Sequence, residues 1–219
     1  MKNLIPIAMK KISLFTFMLF VCMTAFSQEE ESKPDKLRSK YFNIGYAESK
    51  LKQDGFDQLK CKWGASFSVG KTFYLHKKPI ANFIRFGIDA TWFDLTYANY
   101  KFSLDGGKEN FHQAEAAMHV GPSVTFTPVN GLNICGYFRY APTFSAIYST
   151  ANDNYNLGYA TRFVGGASLY YKFFGVGFES RFGNSKIEPF TAFLYDGMEG
   201  TDRIKTKLTG FRVYLTFRY

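Results

Sequence analysis

Glu115, His119 and Ser123 are an acid, a base and a hydroxyl nucleophile spaced four residues apart, the types that cleave esters. A base must lie about 3 Å from the hydroxyl it activates. Residues 113–127 alternate apolar and polar side chains, however, and four residues along a strand cover roughly 13 Å. The three side chains therefore share a face without forming a triad. His76 and His112 fall in or beside polar loops, where a solvated imidazole is ordinary. The chain has no HExxH pair, no cysteines at finger spacing and no EF-hand loop. The residues thus lead us to expect no catalytic group, metal or cofactor. Cys61 and Cys135 are expected as free thiols, because the topology below sets them at opposite ends of the fold, beyond disulfide reach.

The same alternation positions charge. Across the strands, the phase opposite the apolar residues is rich in Gly, Ser and Thr and carries Arg85, Asp89, Glu115, Arg139, Arg162, Glu179, Arg181 and Arg212. Small residues favour this polar phase as the inside of a narrow barrel, where interlocking side chains fill the available room. Buried charges require partners. We therefore expect an interior ion network that rigidifies the wall, with no wide pore, rather than a conducting path.

Eight alternating segments position these residues. They cover 41–51, 62–75, 82–97, 113–127, 132–145, 158–172, 175–182 and 210–219. Short turns follow the second, fourth and sixth, at 76–79 (HKKP), 128–131 (PVNG) and near Phe173. Longer polar connections follow the others, at 53–60, 98–112, 148–156 and 184–203. An even strand count with alternating short and long connections predicts an all-β, eight-stranded antiparallel up-and-down transmembrane barrel with both termini on the short-turn side. Pro122 and Pro142 lie inside segments, where a missing ladder donor calls for a bulge or an edge. Lys71 interrupts the apolar phase near a strand end, where a long side chain can reach the headgroups.

Composition fits a wall in lipid. With 25 Phe and 15 Tyr, aromatics make up 19% of the chain while its mean hydropathy is slightly negative, as an apolar exterior around a polar interior requires. Residues 1–27 read as a signal peptide: Lys2, Lys10 and Lys11 precede an apolar run, and Ala25-Phe26-Ser27 offers a small-x-small cleavage site. Phe20 and Val21 before Cys22 are larger than lipoprotein processing prefers. Residues 28–40 form a charged periplasmic lead-in, and 41–219 the barrel. Without the signal, 24 basic residues face 18 acidic ones, a net charge of +6. The basic residues are dispersed, which argues against nucleic acid and reads as solvated loop charge, with anionic headgroups as the alternative use. After the signal no stretch suits a membrane helix, so a bilayer can be crossed only by a closed barrel.

Residues 210–219, GFRVYLTFRY, alternate cleanly and end on an aromatic. With Gly210, Phe217 and Tyr219, this segment resembles the C-terminal signal by which bacterial outer-membrane barrels are recognised for insertion. The whole 41–219 pattern resembles small eight-stranded barrels of the OmpA transmembrane-domain and OmpX type. The resemblance implies export to the outer membrane of a Gram-negative cell. It also implies outer-membrane lipid and the barrel-assembly machinery as partners, beside an extracellular ligand or envelope partner of unknown identity. It implies a structural, adhesive or surface-recognition role through the outer loops. The peptidoglycan-binding domain of some relatives has no counterpart in 41–219, so that anchoring role is not expected. Tyr97, Tyr100, Phe102, Phe111, Phe190, Phe193 and Tyr195 are candidate outer contacts, or else they extend the strands or form the upper aromatic girdle. Two other classes stay open: a lipid-modifying enzyme of deacylase or acyltransferase type, and an exported soluble ligand-binding barrel.

Overall fold

The computed structural model describes residues 37–53, 58–104, 107–149, 155–187 and 204–219. The lead-in up to residue 36, the signal segment and residues 188–203 lie outside the described residues, Phe190, Phe193 and Tyr195 among them. Eight strands form: β1 (Lys40–Gln53), β2 (Leu59–Tyr74), β3 (Ile84–Leu104), β4 (Gly107–Val129), β5 (Leu132–Ser149), β6 (Tyr155–Tyr171), β7 (Phe174–Ile187) and β8 (Ile204–Arg218). Each pairs with its neighbours in sequence, and β8 pairs antiparallel with β1 to close the barrel. At that seam Lys40 and Tyr219 exchange backbone hydrogen bonds of 3.2 and 3.0 Å, and Phe217 stacks on Phe42 at 4.7 Å. Closure leaves no strand edge to be solvated.

The apolar phase faces outward. Ile44, Met118, Phe138, Phe178 and Leu215 are each between 45% and 55% exposed, while their polar neighbours point in. Monomeric soluble proteins rarely carry a contiguous apolar patch above a few hundred Å². Here the apolar belt runs around the wall, so the barrel is inside-out and built for a bilayer. No described helix is long and apolar enough to cross a membrane, and the crossing is made by strands.

Several boundaries differ from the sequence reading. Residues 98–112 were expected as a polar loop, but β3 and β4 run through them, paired from Asn99↔His112 to Leu104↔Gly107. Polar outward residues such as Lys101 resemble a loop in sequence. In the fold they are the solvated continuation of strands 21 and 23 residues long, where about 9–11 residues span a bilayer. The connection here is residues 105–106, shorter than the 75–83 connection at the other end. The reversal in 75–83 is also not at HKKP. It occurs at Ala81 and Asn82, with φ of 50° and 68°, closed by an Ile80–Ile84 bridge.

Against β3, β4 keeps register past Pro122, and against β6, β5 keeps register past Pro142. Register shifts occur instead between Thr91 and Asp94 of β3, between Cys61 and Trp63 and between Val69 and Gly70 of β2, and between Tyr46 and Lys50 of β1. The first has a large consequence for the interior. Trp92 and Phe93 both face out, at 50% and 47% exposure, and beyond them the inward phase moves to even numbers, carrying Asp94 and Thr96 inside.

Candidate functional site

The polar phase converges on one chain of alternating charges in the middle of the barrel. Asp89 meets Arg139 at 3.1 Å, and Arg139 meets Glu179 at 2.8 Å. Glu179 meets Arg212 at 3.1 Å, and Arg212 holds Asp94 with two bonds of 2.5 and 2.7 Å. Asp94 lies 3.8 Å from Arg181, Arg181 lies 3.4 Å from Glu115, and Glu115 pairs with Arg162. All eight side chains are at most 4% exposed. Four carboxylates balance four guanidiniums, so burial leaves no net charge without a partner. Neutral donors complete the acids: Tyr41 and Thr72 bond Asp89 at 2.7 and 2.8 Å, and Tyr137 bonds Glu179 at 3.0 Å.

Glycines make room for the tyrosines that serve this chain. A Cβ on Gly177 would overlap the Tyr214 ring, and one on Gly70 would overlap the Tyr41 hydroxyl. These two inward glycines are therefore sockets for large hydrogen-bonding side chains.

Seven of the eight sequence-assigned charges join the chain. Arg85 does not: it sits one residue into β3, roughly 13 Å along the strand from Asp89, and makes no ion pair among the described residues. Asp94 was missed because continuous alternation places it outside, and only the bulge turns it in. Arg218 was also unassigned. Its guanidinium packs over the rings of Tyr170 at 4.2 Å and Tyr41 at 5.2 Å, forming a cation–π layer at the terminal end of the interior.

The opposite, distal end carries buried apolar side chains. Leu51, Leu59, Ala98, Tyr100, Phe111, Ile147, Ala160 and Leu208 form one buried cluster inside the wall. Tyr100 and Phe111 thus extend β3 and β4, as the alternative reading had it, and are not outer contacts: they are 1% and 4% exposed, because their phase points inward. Tyr100 also donates to Gln113 at 2.8 Å, and Gln113 donates to Glu115 at 2.8 Å, joining the cluster to the charge chain. Tyr97 faces outward, packed on Trp63 at 5.0 Å and bonded to His112 at 2.5 Å. The backbone of Phe102 lies in β3, and its side chain is outside the described residues.

Glu115, His119 and Ser123 are all buried inside. His119 Nε2 stands 4.0 Å from Asp94, too far for a hydrogen bond, and neither ring nitrogen contacts Ser123. This arrangement can neutralise charge and lock strands together. It offers no nucleophile–base pair to lipid outside the wall. Cys61 and Cys135 are free, the first near the distal end of β2 and the second buried near the start of β5. No group of three or more metal-ligating side chains occurs among the described residues.

Gly210, Phe217 and Tyr219, the residues that carry the resemblance to an insertion signal, lie at the seam. Gly210 packs where a Cβ would meet the Glu48 carbonyl, Phe217 lies between Phe42 and Phe174, and Tyr219 pairs with Lys40.

The chain matches no protein-family model and no curated protein. Among solved structures it is similar to Neisserial surface protein A, with 12% identity, 82% of this chain, 97% of that one and a TM-score of 0.46. It is also similar to Ail, the attachment invasion locus protein of Yersinia pestis, in complex with the heparin analogue sucrose octasulfate, with 12% identity, 84% of this chain, all of that one (100%) and a TM-score of 0.47. A third is the outer membrane enzyme PagL, with 11% identity, 81% of this chain, 99% of that one and a TM-score of 0.36. These are small outer-membrane β-barrels, and the present chain is a closed eight-stranded barrel.

Proposed function

We propose that this chain is an outer-membrane barrel with a structural, adhesive or recognition role, whose sealed wall holds its distal segments at the cell surface. One observation supports this above the others: the narrow interior carries the Arg218 layer at one end, the eight-membered charge chain in its middle and the apolar cluster at the other end. An interior so occupied leaves the outward and distal surfaces as the working parts. At the distal end β3 and β4 continue past the Cys61↔Tyr100 pair as a ribbon from Lys101↔Asn110 to Leu104↔Gly107, and residues 188–203 add a further connection there. On this reading the distal end is extracellular and the 75–83 connection is periplasmic.

Planar-bilayer recording tests the sealed interior. Purified protein is expected to give no stable conductance steps, and replacing both Glu115 and Arg162 with Ala is expected to introduce leak. Stable channel openings in the native protein would overturn the reading. Protease added to intact cells is expected to cut within 188–203 and to spare 75–83.

A further inference from the structure

Lysines at the distal end are arranged in a way that dispersed solubility charge does not require. Three pairs stand directly opposite each other across neighbouring strands: Lys186↔Lys205, Lys52↔Lys207 and Lys50↔Lys60. Lys62 on β2 and Lys101 on β3 extend the run, so it follows an arc across β7, β8, β1, β2 and β3. All belong to the outward phase within four residues of a strand end. Like charges directly opposite in a sheet repel. Among the described residues the only carboxylate paired with any of them is Glu48, 3.6 Å from Lys50. The other side of the rim differs among the described residues: its outward positions include Asn110 and His112 on β4, Tyr148 on β5, and Leu157 and Tyr159 on β6.

Toward the middle of the barrel the outward phase of the same strands passes through Asn184, Thr209 and Glu48 and then becomes apolar, with Trp63, Phe182 and Val213 between 43% and 50% exposed. The ammonium groups therefore ride at the upper border of the lipid-facing belt, where a long side chain can reach headgroups while its stem lies on apolar surface. Below Lys62 and Lys101 an open groove of about 540 Å³ in the outer wall is lined by Ala65, Phe67, Leu95, Tyr97, Ala116 and Phe144. It suits an acyl chain.

Resting on the outer-membrane reading, we propose that this arc binds a membrane lipid whose headgroup carries more than one phosphate. The opposed lysine pairs hold the phosphates, and a chain of the lipid lies in the groove. Ammonium groups serve phosphate as mobile point charges, which suits a headgroup that must bridge several strands. The apolar belt and groove beside the arc favour a lipid over a soluble polyanion.

The mature protein in zwitterionic micelles is offered diphosphoryl lipid A, the same lipid without its phosphates, and phosphatidylcholine, with retention read by native mass spectrometry. The phosphorylated lipid is expected to be retained at least tenfold more strongly than either other lipid, and increasingly less so as salt is raised. The triple variant Lys52→Gln, Lys60→Gln, Lys207→Gln is expected to lose that preference. Lys77→Gln with Lys78→Gln, at the other end, is expected to keep it. Equal retention of the dephosphorylated lipid, or insensitivity to salt, would overturn the proposal without relying on any variant. A heparin fragment that binds the barrel as tightly as the phosphorylated lipid would overturn the lipid assignment. Heat-modifiable gel migration separates the two readings. A folded, detergent-dependent barrel that ignores lipid phosphate removes only this inference, whereas a protein soluble without detergent removes the membrane reading as well.

Discussion

The middle of the barrel and its distal rim both concentrate charge, and they treat it in opposite ways. Inside, four acids alternate with four arginines, and every member touches a partner of opposite sign. At the rim, lysine stands opposite lysine, with one carboxylate near the whole arc among the described residues. The difference follows from solvent. A buried ion without a partner costs several kcal/mol, so the complement must be supplied by the chain itself. A rim ammonium is screened by water and salt, so its complement can come from whatever lies beside it.

The largest expected effect comes from opening the seam that the interior chain crosses. Deleting residues 217–219 removes the Tyr219–Lys40 bonds and the Phe217 stack on Phe42, at the end of the strand that supplies Arg212. The truncated chain is expected to yield little or no heat-modifiable barrel after refolding into detergent. A stable barrel from it would mean that the charge chain holds β8 in place without its terminal residues.

A smaller effect tests pairing directly. Glu115→Gln leaves Arg162 buried without its acid and is expected to lower stability by about 3–5 kcal/mol. Combining it with Arg162→Met is expected to recover part of that loss, with a coupling of about 0.5–3 kcal/mol in a double-mutant cycle read by urea unfolding in micelles. Additive losses would show that the two charges act independently.

The smallest effect should have the opposite sign. Lys60→Gln removes one repulsive cross-strand partner of Lys50 and is expected to raise stability by roughly 0.2–1 kcal/mol in zwitterionic detergent. A loss there would mean that the lysines already have protein partners, and the contrast between rim and interior would fail.

Much of the fold was readable from period-2 alternation. The eight strands, their outward apolar phase and seven members of the charge chain all follow from side chains alternating across a pleated strand. The misreadings have one kind of cause. Asp94 appeared to lie on the apolar phase because alternation carries no mark of the bulge between Thr91 and Asp94. Residues 98–112 looked like a loop because strands leaving the bilayer lose their apolar outward residues while keeping their ladder. Tyr100 and Phe111 looked available because an aromatic near a loop reads alike whether it faces in or out.

By itself the sequence determined what is local: where strands run, which side of each is apolar, and that the chain must close in a membrane or leave that apolar side uncovered. The tertiary structure alone decided which charges meet. Asp94 and Arg212 are 118 residues apart, and they come within 2.5 Å only because closure and register fix the stagger of every strand at once. The same stagger sets lysine against lysine at the rim. Pairing across a barrel is a property of the whole ladder, and a one-residue slip would turn each strand's charges to the other face.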